Sequence, residues 1–201
     1  MNSQNLVVLI ALLVPGLGVL GLRVIAMRWR PQAARVPKRG PVADRMLAIA
    51  IDVSALGSST LTTFFTTLFA VALALYGHLA LAVLYAACVV LAGMAGTWLK
   101  QTTAHERLPH SRTLTFGSSF PSTHTTLAVL CYGGAVIAAW PVMGPGIAAR
   151  WAVGACVLTI GAVAASRLWL GAHRRRDVLG GLVLGAMFLV PIAAMTSRLA
   201  P

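Results

Sequence analysis

Long apolar runs separated by short polar breaks dominate the chain. The first runs from Leu6 to Leu22 and is followed by a basic, proline-bearing stretch, Arg23 to Arg45. Between Gly57 and Leu99 there is no Asp, Glu, Lys or Arg. A membrane helix needs roughly 20 apolar residues, so this stretch is too long for one helix and suits two, turning at Gly77–His78. A fourth run starts near Pro121 and ends at Trp140, a fifth spans Trp151 to Ser166, and a sixth spans Val178 to Met195. The pattern predicts an all-α polytopic membrane protein, a six-transmembrane-helix bundle in one domain over residues 1–201. Trp98, Trp140, Trp151 and Trp169 fall at the ends of spans, as an aromatic belt requires. Pro15 and Pro191 inside spans are tolerable in a membrane bundle. Gly181 and Gly185 predict a close approach of the last helix to a neighbour.

Composition agrees. The chain is 58% hydrophobic and 10% charged, with a mean hydropathy of +0.84, whereas soluble domains carry about a quarter charged residues. A net charge of +12 would suggest nucleic acid in a soluble protein. Here the cations cluster at the ends of apolar runs, so anionic headgroups or a phosphorylated substrate are the better partners. Cys88, Cys131 and Cys156 all lie in apolar runs, which argues for packing and against disulfides or a metal site. The Leu6–Leu22 run lacks a basic start and the positive charge follows it, the pattern of an anchor rather than a cleavable signal. Six spans place 14 of the 16 Lys and Arg residues on one face, leaving Arg150 and Arg198 on the other. By the positive-inside rule that rich face is cytoplasmic.

Three short stretches meet on the basic face: KQTTAHERLP with Lys100 and Arg107, FPSTH with Ser122 and His124, and SRLWLGAHRRRD with Arg167, His173 and Asp177. Cations at a membrane edge are costly without a partner. Lys100, Arg107 and Arg167 converging from different helices would repel one another unless an anion lay between them, and a phosphoryl group suits Arg forks. Ser122 is placed as an N-cap, where free backbone N–H groups favour a phosphate. His173 and Asp177 are four apart and predicted to share a helical face. A carboxylate bonded to one ring nitrogen would aim the other as a nucleophile, kept ionised itself by the neighbouring cations. His124, on another helix, is a candidate general acid.

These stretches resemble the signature of the type-2 phosphatidic acid phosphatase superfamily, shared with vanadium haloperoxidases. That signature has a Lys, six residues and Arg-Pro; then Pro-Ser-Gly-His; then Ser-Arg, five residues, His, three residues and Asp. Lys100 and Arg107 have the first spacing, Pro121, Ser122 and His124 match the second, and Ser166, Arg167, His173 and Asp177 match the third. The resemblance covers about 52–195. It implies a lipid phosphatase needing no metal or other cofactor, in which His173 becomes a phosphohistidine, Asp177 holds it and His124 protonates the leaving group. Lys100, Arg107, Ser122, Thr123 and Arg167 would bind the phosphoryl oxygens. Two departures stand out: Thr123 replaces the glycine, and Leu108 replaces the proline, with Pro109 one place on. A β-branched residue beside the phosphate predicts a narrower pocket if the glycine serves a special dihedral or close approach.

Other polar residues receive plainer readings. His105, His110 and Glu106 are expected in a solvated loop, and His78 in a turn on the far face. Arg174, Arg175 and Arg176 form a basic patch at the membrane surface that is also suited to attracting an anionic headgroup. Asp52 is expected to pair with a basic residue or cap a helix. A phosphotransferase of the same superfamily and a non-catalytic phospholipid-binding or transport protein remain the alternative functions. Orientation carries a conflict: the charge bias points the site inward, whereas bacterial proteins resembling this one work on the periplasmic side of the inner membrane.

Overall fold

In the computed structural model of this chain, residues 3–28, 43–103 and 118–199 are described. They form seven helices and, among the described residues, no strand. These are α1 (Ser3–Arg28), α2 (Ala43–Ala55), α3 (Ser59–Leu75), α4 (Leu79–Thr103), α5 (Thr123–Met143), α6 (Ile147–Trp169) and α7 (Arg175–Leu199). Backbone amides in lipid must be satisfied within the segment, which is why runs without charge become continuous helices. The α3–α4 turn falls at the expected place, where Gly77 takes φ +87°.

Length and apolarity qualify α4, α5, α6 and α7 as membrane spans, and the α2–α3 pair, bent by 42°, makes a fifth if it counts as one. Among the described residues the architecture is all-helical with several candidate membrane spans, as expected. The described spans number four or five, against the six expected.

One element was missing from the sequence reading. The stretch treated as the end of a basic loop and the approach to the second span folds as α2. Leu47, Ala50 and Ser54 lie at i, i+3 and i+7 on its inner face. Leu47 and Ala50 pack against Leu170 and Ala172 between α6 and α7, while Met46, Ile49 and Ile51 face outward. Asp52 is on the exposed face as well.

The core lies between α1, α4, α5 and α7, around Leu22, Tyr85, Leu99, Leu130, Leu184, Phe188 and Ile192. A π-turn at Val129–Gly133 interrupts α5. The Tyr85 hydroxyl donates to the Cys131 carbonyl there at 2.8 Å, so a backbone group loosened by the irregular turn is satisfied inside the bundle. The expected helix approach is present. A methyl group added at Gly185 would come within 2.6 Å of Val129 Cβ, and one at Gly181 within 2.6 Å of the Ser122 carbonyl oxygen. The first two turns of α5 are thereby pressed against the second and third turns of α7. Trp140, Trp151 and Trp169 remain partly exposed at helix ends, and Trp98, near the end of α4, lies 5.3 Å beneath the Arg23 guanidinium.

Candidate active site

The ends of four helices and the α6–α7 connection build the site. At the C-terminal end of α6 the chain turns at Gly171, with φ +64°, and delivers His173 just before α7. His173 is 4% exposed and Asp177 fully buried. The sequence reading had both on one helix face. Instead α7 begins at Arg175, and Asp177 in its first turn reaches back: Oδ2 accepts from the Arg174 backbone N–H at 2.9 Å. This is the return half of a capping box. The same oxygen stands 3.8 Å from His173 Nδ1, in register with the ring but beyond hydrogen-bond distance. Catalytic hydrogen bonds are often long before substrate binds. On the other side of the carboxylate, Arg176 Nε lies 3.9 Å from Oδ1. A buried carboxylate without such partners would cost several kcal/mol.

Burial holds the His173 imidazole below its ordinary value of 6.5; the charges of Arg167 and Lys100 act in the same direction and Asp177 opposes them. The ring's dependence on Lys100, from α4, and Arg167, from α6, places both cations in its electrostatic surroundings.

The α5 end supplies the opposite wall. Ser122 takes the N-cap position, as expected, but makes no side-chain cap bond. Its hydroxyl accepts from Thr125 Oγ1 at 3.0 Å, keeping its own proton available to donate. Its backbone N–H donates to the Asp177 carbonyl at 2.9 Å, tying the α5 entrance to the acid-bearing turn. Thr123 is the first residue of α5, with ordinary helical backbone, so replacing the family's glycine needs no special dihedral. Its hydroxyl accepts from the Lys100 ammonium, which the sequence did not reveal. His124 follows, half-buried. Arg167 is 3% exposed and its Nη1 donates to Ser54 Oγ at 2.7 Å. Ser54 was missed in the sequence, where it was one serine in an apolar stretch before a predicted span.

Arg107 lies outside the described residues, as do His105, Glu106, Leu108, Pro109 and His110. Of the basic patch, Arg175 is exposed while Arg174 and Arg176 are half-buried. His173, Asp177, Lys100, Ser122, Thr123 and Arg167 are gathered at one end of the bundle, with His124 on the first turn of the helix that Ser122 caps.

At one end of this all-helical membrane bundle a buried histidine, a buried arginine, a half-buried lysine and the start of a helix therefore come together. The family follows from sequence. The PAP2 superfamily model matches residues 68–200, and the chain belongs to that superfamily. Its fold is similar to a crystal structure of the first transmembrane PAP2-type phosphatidylglycerolphosphate phosphatase from Bacillus subtilis. The TM-score is 0.64 over 98% of each chain, at 16% identity. No curated protein matches this chain in sequence.

Proposed function

We propose that the protein is an integral-membrane lipid phosphatase that removes a phosphate from a phosphate or diphosphate monoester of a lipid without a metal ion. With Nδ1 turned toward Asp177, Nε2 of His173 carries the lone pair that attacks phosphorus. The bond to the lipid oxygen breaks as His124 gives that oxygen a proton. Water then attacks the phosphohistidine, His124 takes up the proton, and inorganic phosphate leaves. Lys100, Arg107, Arg167, Ser122 and the Thr123 backbone N–H hold the three phosphoryl oxygens, where positioning and charge supply most of the acceleration.

The observation that carries this reading is the buried His173 ring in the field of Lys100 and Arg167, with Asp177 behind it. Six crossings, by α1 and α3 to α7, would bring the α4–α5 and α6–α7 connections to one face. Polyprenyl (di)phosphates, phosphatidic acid and phosphatidylglycerol phosphate are the substrate candidates, in the inner (plasma) membrane. Reporter fusions in the 29–42 segment and at the C-terminus decide which face holds the site.

The test is a phosphate-release panel over these lipids, with chelator present, using purified protein in nanodiscs. Turnover in chelator and its loss, by about 10⁴-fold or more, in His173→Ala are expected. Activity abolished by chelator, or a His173→Ala protein that still releases phosphate, overturns the mechanism.

A further inference from the structure

We propose that Ser54 is a positioning residue for Arg167, making α2 part of the catalytic apparatus although it precedes the matched family region. The inference rests on the phosphatase reading for what Arg167 binds, but its geometry is independent. Ser54 and Arg167 are 4% and 3% exposed, and Nη1 meets Ser54 Oγ at 2.7 Å across a separation of 113 residues. Arg has a rigid planar fork, so fixing one nitrogen also fixes the direction of the others. A serine hydroxyl accepting there leaves the arginine's charge undiminished, whereas a carboxylate would neutralise the cation that phosphate needs.

The corner that carries Ser54 is itself held against α5 at two points and packs on Val163 of α6. Tyr132 on α5 donates its hydroxyl to the Leu56 carbonyl at 2.8 Å. Gly57 lies so close to the His124 carbonyl oxygen that an added methyl group would reach within 2.7 Å of it. The α2–α3 corner is therefore locked to α5, which bears the proposed acid, and to α6, which bears the anion-binding arginine. Ser54 sets the guanidinium relative to His124 through this corner.

The experiment reads inorganic phosphate binding by ³¹P NMR on the full chain in nanodiscs, alongside lipid phosphate release and thermal unfolding. Ser54→Ala weakens phosphate binding about tenfold, the usual scale for a buried hydrogen bond to a charged group. Ser54→Thr, which keeps the hydroxyl, stays within about twofold by the same reasoning. Ser54→Cys, nearly the same size but a weak acceptor, reproduces the loss with the unfolding midpoint preserved. In an Arg167→Lys background the Ser54→Ala change adds less than about twofold, as a coupled pair requires. Unchanged phosphate affinity in Ser54→Ala and Ser54→Cys, or an equal loss in both backgrounds, overturns the proposal. Binding is read without turnover. A wild-type protein that binds phosphate but releases none from lipids therefore defeats the phosphatase reading alone and leaves the Ser54 result decisive.

Discussion

Helices α5 and α6 are almost equally apolar, yet about half of the apolar stretch of α5 is buried inside the protein and only about a tenth of that of α6. Apolarity marks both as spans and does not say which neighbours they meet, because lipid and protein interior are equally apolar solvents. α5 threads the bundle, pressed against α7 through Gly181 and Gly185 and against Tyr85 at its π-turn. α6 is an outer helix whose buried residues are Ala149 near one end and Val163, Ser166 and Arg167 near the other. An outer helix thus reaches the site with its last turns only, and α2 covers that end. The inner helix contributes through its first turn, held by the helix it packs on.

Substitutions break or sharpen this contrast in order of size. Arg167→Ala, in the one buried turn at the site end of α6, is expected to slow phosphate release about 10²–10³-fold, the range for losing a donor to transition-state charge. A loss below about threefold in steady-state kinetics would place Arg167 outside the anion site. On the inner side, Gly185→Val forces a side chain into Val129 and should cost about 1–3 kcal/mol, as overpacking does. Thermal unfolding in nanodiscs measures it; an unchanged midpoint would mean that α5 and α7 are not pressed together.

A smaller effect concerns His173. Its titration midpoint, followed by histidine-selective NMR with His173→Ala for assignment, should fall below 6.5, since burial, Arg167 and Lys100 all disfavour the imidazolium. Between that midpoint and 6.5 the unfolded chain binds a proton that the folded protein does not. Stability therefore falls as pH drops through this window. A midpoint above 6.5 would show Asp177 dominating the environment. Smallest of all, Leu158→Ala on the outward face of α6, where Leu158 is 75% exposed, should change stability by no more than about 0.5 kcal/mol. A larger cost would reveal a partner on that face.

Much of this was legible in the chain. Uncharged runs longer than a bilayer is thick specify helices whatever surrounds them, and the Gly77–His78 break, the small residues of α7 and the N-cap position of Ser122 are local signals. Motif spacing named the candidate site residues, and those among the described residues lie at one end of the bundle. Other features depend on contacts that spacing does not encode. α2 reads as loop and span because its inner face is short and has meaning only against Leu170 and Ala172. The Lys100–Thr123 bond turns a departure from the family pattern into a contact, something visible only when α4 and α5 stand side by side.

The sequence by itself determined the long apolar helices and the chemical inventory, because both follow from local properties: hydropathy along a run, a turn glycine, an imidazole near a carboxylate. Tertiary structure decided which apolar faces meet protein rather than lipid, that His173 precedes its helix while Asp177 caps it, and that Ser54 holds Arg167. Those outcomes depend on distances between residues far apart in the chain. Such distances are set by close packing at a few small side chains, and no single stretch of sequence contains them.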